Sequence, residues 1–409
     1  MVDRGRPACY RDVFAVGEFR AVFAALLLSV VGDQLARVAL SVLVFERTDS
    51  AGLTALTYAL TFLPDLVSGP LLSGIADRYP RRTVMIVSDL GRAALVAVMA
   101  VPGLPFVPLC LLLIVVQAAG APFNAARAAT LAAALDGDRY VVGTGATDMV
   151  DQFAQVVGFA GGGALLVVIG PAQGLLIDSA TFLGSAVLVA AGVARRPVPR
   201  TPHGDRIDGS SARRSPSWWR SIVAGAVLVG TDCRLRALVA LACVAGCYVT
   251  VEGVAAPYAA EFGGGDGSVG LLLAASPAGA VVGMWVVSRW HPETRLRLLG
   301  VLAVGACLPL VACVLRPGIP VTVALWALSG MASAYHMPAR SAFVQAVPDH
   351  GRGQAFGLAA TALRTAQGTG VVMVGLAAEW LGPSGAVAGA GMLGTVLAGA
   401  AGLAWQRAR

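Results

Sequence analysis

Ten ionisable side chains lie inside long apolar runs: Asp33, Arg37, Asp65, Asp89, Arg92, Asp148, Asp151, Asp178, Glu252 and Arg364. A charge at membrane depth costs at least about 2.5 kcal/mol, so each needs a partner, water or a task. Carboxylates in such places can bind and release protons or hold a cation. Asp33 and Arg37 stand four residues apart and share one helix face. Two readings of them stay open: a polar spot on a substrate path with Asp33 as proton or cation site, or a self-neutralised pair that fixes its helix. Asp89 and Arg92, three apart, read as a structural pair, and Asp178 as a residue that bonds locally. Glu252 is the strongest acidic candidate in the second half. The histidines His203, His291, His336 and His350 are scattered and show no metal-ligand spacing. A lone histidine such as His336 is more often structural than a ligand. No G-x-x-x-x-G-K-[ST] loop is present, and all 30 basic residues are arginine, so no lysine could complete one. An enzyme, a metal centre and an ATP-driven machine are therefore not expected, and no cofactor is.

The elements that carry these charges are spans of a membrane protein. The chain is 57% apolar and only 13% charged, against about a quarter charged for soluble domains. At roughly 20 apolar residues per crossing, the sequence predicts twelve transmembrane helices: 19–45, 52–72, 84–101, 104–126, 141–169, 174–193, 237–258, 269–287, 298–315, 321–338, 354–376 and 384–405. The fold class is an all-α polytopic membrane protein. The arginines fall at the N-terminus (Arg4, Arg6, Arg11, Arg20), in the even-numbered connections and at Arg407 and Arg409, while the odd-numbered connections hold only Arg47 and Arg316. By the positive-inside rule both termini are cytoplasmic. The net charge of +7 is split among short loops, which suits anionic lipid at the cytoplasmic face and not a nucleic acid. The seven cysteines show no CxxC spacing and read as small buried apolar residues.

A Pro-, Ser-, Gly- and Arg-rich stretch, 195–220, is expected as a flexible cytoplasmic linker. It follows an N-terminal segment, 1–18, and a first six-helix bundle, 19–194, and precedes a second bundle, 221–405, and a tail, 406–409. The halves repeat. Ala126-Arg127 is matched by Ala339-Arg340, Asp136 by Asp349 and Arg139 by Arg352, all at a spacing of 213; Gly170-Pro171 is matched by Gly382-Pro383 at 212. A constant phase implies two pseudo-symmetric bundles, the parallel repeat of one class of secondary carriers.

The second connection is a tight basic hairpin, Ser73-Gly-Ile-Ala-Asp77-Arg78-Tyr-Pro80-Arg81-Arg82. With the two six-helix halves and the long middle loop, it resembles the major facilitator superfamily, whose signature there is Gly-x-x-x-Asp-Arg-x-Gly-Arg-Arg. Asp77, Arg78, Arg81 and Arg82 match; Ser73 and Pro80 replace the two glycines. Gly32-Asp33, the run Val84–Arg92 and Asp178-Ser-Ala-Thr181-Phe182 are similar to the drug and siderophore exporters of the superfamily, of the macrolide-efflux and enterobactin-exporter type. Two features depart from the drug antiporters. Ile114 stands where they carry an arginine before Gln117, and Gly158, Gly161, Gly162 and Gly163 lack the proline of their span 5 motif while keeping residues small enough for close helix contact.

The resemblance implies a transporter that exports a small amphipathic molecule, driven by a proton gradient. It implies that spans 1, 4, 7 and 10 line a cavity, which brings Asp33, Arg37, Gln117, Asn124, Tyr248, Glu252, Trp326, Tyr335 and His336 to the substrate path. It also implies that spans 2 and 11 face each other. Asp65 and Arg364 are then expected to form an ion pair that closes the cytoplasmic side, with Asp151, the repeat equivalent of Arg364, as the competing partner. Asp77 is expected to act as a conformational latch against the N-terminal end of span 11, with Arg78, Arg81 and Arg82 holding the hairpin inside. The protein is expected as a monomer in a bacterial cytoplasmic membrane.

Overall fold

A computed structural model of the chain describes residues 10–62, 79–136, 138–196, 226–347 and 352–409. Every regular element among them is helical. The chain groups into two compact units, one of residues 1–43 and 67–201, the other of residues 44–66 and 202–409. Residues 197–225, which hold all but the first two residues of the expected linker 195–220, and the hairpin residues Ser73 to Arg78 lie outside the described residues.

The first unit begins with a short helix, α1 (Tyr10–Phe14), which buries Val13. It continues with α2 (Gly17–Thr48), whose last residues belong to the second unit, and then α4 (Arg81–Met99), α5 (Phe106–Ala134), α6 (Asp138–Ile169) and α7 (Pro171–Gly192); α3 is placed below. Val13, Phe19, Val22, Met85, Phe123, Leu131 and Val189 form its core at one end. Gly158 and Gly162 of α6 pack on α2: a side chain at either would meet the Val31 carbonyl or the Leu35 backbone. The glycines kept in span 5 thus act as the sequence implies, by letting two helices touch.

The second unit takes in α3 (Ala51–Ala59) from the first half of the chain. It then contains a broken seventh span of four short helices, α8 (Cys233–Cys243), α9 (Ala245–Tyr248), α10 (Thr250–Gly253) and α11 (Ala255–Glu261). Pro257 has no N–H to return to Gly253, which accounts for the last break at Val254. There follow α12 (Asp266–Ser288), α13 (Pro292–Arg297), α14 (Leu299–Val311), α15 (Ile319–Ser333), α16 (His336–Ala346) and α17 (Arg352–Ala408). The expected span 321–338 is likewise broken, between α15 and α16, where Pro338 cannot bond Ala334. Gly279 and Gly283 of α12 lie against α15 so closely that a side chain at either would strike its backbone.

Six of the described helical stretches are long and apolar enough to cross a membrane. One of them, Ala355–Ala408, has 54 residues, about 80 Å at 1.5 Å per residue and more than twice a hydrocarbon core. It is two crossings joined at Gly382, whose φ is 73°. Gly170, before Pro171, has φ 77°. The repeat visible in sequence as Gly-Pro therefore has one physical cause in each unit: a left-handed glycine ends one helix and a proline at the first turn starts the next. Gly318, at φ 74°, makes the same kind of turn ahead of Pro320 at the start of α15.

Candidate functional site

In the first unit the embedded charges converge between α2, α4 and α7. Arg92 Nη2 donates to both Asp33 carboxylate oxygens, at 2.9 and 3.1 Å. Its guanidinium lies over the Phe182 ring, 4.0 Å from the centroid. Asp89 spends one carboxylate oxygen on the Ser185 hydroxyl, at 2.6 Å. The Thr181 hydroxyl donates to Asp178, at its carbonyl (2.7 Å) and its carboxylate (3.3 Å). Asp89 and Asp178 both act electrostatically on Asp33 and Arg92. Three acids thus surround one arginine.

Two sequence expectations are corrected here. Asp33 pairs with Arg92 and not with Arg37, and the Asp89–Arg92 pair on one helix gives way to a pair between helices. The reason is reach: the long arginine stem carries its charge past its own helix to α2, while the short Asp89 side chain finds Ser185. Asp178 does bond locally, as expected, but its carboxylate also packs on Gly32, where any side chain would collide with it and with Thr181. The pair is unequal in access: the Asp33 side chain is 28% exposed and that of Arg92 only 7%. On α5, Gln117 is half-buried and Asn124 exposed. Asp151 lies on α6, its side chain outside those described.

Arg81 and Arg82 open α4 and tie it to its neighbours. Arg81 donates to the Ala129 carbonyl of α5 at 2.8 Å, and Arg82 to the Ala190 carbonyl of α7. Ala190 is in the last turn of its helix, where carbonyls lack helical partners and cations are favoured. Asp65, Asp77 and Arg78 lie outside the described residues, so neither the Asp77 latch nor the Asp65–Arg364 pair is placed. Arg364 stands 5.7 Å from the Phe62 ring centroid.

In the second unit, Glu252 of α10 accepts a 2.6 Å hydrogen bond from the Tyr58 hydroxyl of α3. Tyr248 and His336 Nε2 are 2.6 Å apart, and the His336 ring stacks on Tyr335 at 4.4 Å. Tyr248, Trp326 and Tyr335, expected on the substrate path, are packed in the core of this unit at 5%, 0% and 0% exposure. The Tyr335 hydroxyl is spent on the Leu241 carbonyl, and Tyr258 packs on Trp326. They are aromatic filling for a broken span, whose small residues leave volume to occupy.

Sequence reasoning missed Glu379. It accepts from the Ser50 hydroxyl (2.6 Å) and the Gly52 amide (2.7 Å), closing the start of α3. Glu379 follows the apolar stretch 354–376, and these bonds, with Ser50 first, hold its carboxyl below the usual glutamate range. The α3 helix is wedged in place: a side chain at Gly375 would strike Ala55, and Gly253 of α10 packs beside the same residue. The available signal was Ser50 itself, an N-cap whose hydroxyl accepts from Leu53. A second acid, Glu261, bonds Ser384 and pairs with Arg316 at 2.8 Å.

Comparison with known proteins agrees with this architecture. The family model of the Major Facilitator Superfamily matches residues 22–361. No curated relative matches the sequence. Among solved structures, the nucleoside transporter NupG superposes with a TM-score of 0.71 at 13% identity, over 94% of this chain and 99% of that one. A POT peptide transporter in complex with alafosfalin gives 0.70 at 12%, over 100% and 96%. An inward-facing bacterial homolog of the human lysosomal transporter Spinster gives 0.66 at 15%, over 96% and 95%. The family match covers most of the chain, and its meaning is plain: the chain is a membrane transporter, not an enzyme, and belongs to the Major Facilitator Superfamily.

Proposed function

We propose that this transporter is a proton-coupled exporter of a small amphipathic molecule, a drug, siderophore or secondary metabolite, working by alternating access about a mid-membrane site. The observation that carries the reading is the Asp33–Arg92 pair. Asp33 keeps access to its surroundings while Arg92 is enclosed. A proton arriving on Asp33 removes the charge that holds Arg92, and Asp89 and Asp178 are the acids left to receive it. A guanidinium with alternative acidic partners is a two-state element that a proton can bias. Glu252 in the second unit adds a further acid, and an acidic path suits a cationic substrate. The arginine pattern supports cytoplasmic termini in a bacterial cytoplasmic membrane, and a monomer is the assembly we infer.

The exporter reading is tested by a drug-susceptibility panel on cells expressing the chain or its Asp33→Asn variant. Resistance that disappears with Asp33→Asn supports it; identical susceptibility of both strains to every compound overturns it. Import or uniport of a metabolite is the second reading, favoured by structural neighbours named as nucleoside and peptide transporters. Sealed vesicles of both orientations, with and without a pH gradient, separate the two.

A further inference from the structure

The end of α17 and the short helix α13 enclose a cavity of about 310 Å³, lined by Leu296, Arg297, Trp405, Gln406 and Arg409. We propose that it is a binding site for a phosphate group, filled in the membrane by the headgroup of an anionic phospholipid.

Four observations carry this. The Arg297 and Arg409 guanidiniums have no hydrogen-bond or ion-pair partner among the described residues, and no acidic side chain lines the cavity. Glu293, one turn before Arg297 on α13, makes no ion pair with it. The C-terminal carbonyls of α17 would by themselves repel an anion. Arg234 offsets this, donating to the main-chain oxygens of Ala408 and Arg409 at 2.7 and 3.0 Å. The floor is apolar: Trp405 is 5% exposed and its indole N–H is spent on the Leu296 carbonyl at 2.9 Å. The cavity sits where a membrane-crossing helix ends, the depth at which tryptophan and arginine meet lipid headgroups. Its volume is at the lower end of ligand pockets, room for a headgroup with its glycerol against Leu296 and Trp405. The apolar floor favours a lipid over free phosphate, which has nothing to place there.

The test uses the purified full chain and native mass spectrometry in an equal mixture of phosphatidylglycerol and phosphatidylcholine. Phosphatidylglycerol should be retained over phosphatidylcholine, and the Arg297→Gln/Arg409→Gln variant should lose that preference by roughly thirtyfold, the effect of two basic residues at a membrane surface. Both side chains are exposed, so the fold should survive. Arg236→Gln/Arg289→Gln removes the same charge elsewhere and should leave the preference intact. Equal retention of both lipids by the unmodified chain, or an equal loss in both variants, overturns the proposal. A second arm adds inorganic phosphate. Displacement of phosphatidylglycerol by millimolar phosphate supports a shared phosphate site; phosphate binding without any lipid preference overturns the lipid as occupant.

Discussion

Arg92 reaches across from α4 and closes on Asp33 of α2 at 2.9 Å, leaving Asp89 of its own helix to Ser185. One cation therefore answers to three carboxylates on three helices. Removing either partner has different consequences. Without Asp33, Arg92 still has Asp89 and Asp178 nearby. Without Arg92, three acids face one another in a buried site. Arg92→Gln should cost about 3–5 kcal/mol, as for a broken buried pair, and Asp33→Asn clearly less. Thermal unfolding in detergent should rank the melting temperatures native, Asp33→Asn, Arg92→Gln; the reverse order of the two variants contradicts this charge balance.

Gly32 matters because the Asp178 and Thr181 side chains occupy the space its Cβ would take. Gly32→Ala should destabilise by about 1–3 kcal/mol through overpacking, visible as a lower melting temperature. A control at Gly120, where nothing lies within 4 Å, should stay within about 1 kcal/mol of native in the Ala form.

The left-handed turns at Gly170 and Gly382 cannot take a side chain without strain. With ψ at 166° and 159°, both lie in a backbone region essentially open only to glycine, so Ala or Asn at either position should cost about 1–3 kcal/mol. Circular dichroism melts of the four variants should all fall below native, and a native-like melt of any one of them contradicts the strain.

Glu379 and Ser50 hold the start of α3 within the second unit. Thr54, one turn into that helix, is 1% exposed. In a background freed of the seven native cysteines, Thr54→Cys should react slowly with a membrane-impermeant maleimide, and several-fold faster when Glu379→Gln is added. The carboxylate is stabilised in the folded protein, so its contribution is fully present above the ordinary glutamate range and is lost only as pH falls through the lowered value. The difference between the two labelling rates should therefore stay constant from about pH 5.5 to 8. A difference that shrinks across neutral pH contradicts the assignment of the effect to Glu379.

Much of the scaffold was legible in the sequence. The apolar runs that surround Asp33, Gln117 and Asp178 are helices long enough to span, and the Gly-Pro repeat became the same left-handed turn in each unit. Which charges meet was not legible. Helical spacing tells which residues share a face, so it offered Arg37 as one possible partner for Asp33 and paired Asp89 with Arg92. It does not tell which neighbouring helix lies opposite, nor that an arginine stem spans the gap. The aromatic residues Trp326 and Tyr335 were placed on the substrate path by their span numbers, but the breaks at Val254 and Ala334 turn them into core. Glu379 was overlooked because it falls between the expected spans 354–376 and 384–405, where a carboxylate reads as solvent-exposed, while its partner Ser50 is 329 residues away in the chain.

The most direct test of proton coupling through Asp33 uses vesicles reconstituted with the full chain and a panel of fluorescent amphipathic cations under an imposed pH gradient. The account predicts gradient-driven movement of at least one dye by the native chain, its loss in Asp33→Asn, and survival of dye-for-dye exchange in that variant. Gradient-driven movement of the dye by Asp33→Asn at the native rate would contradict it.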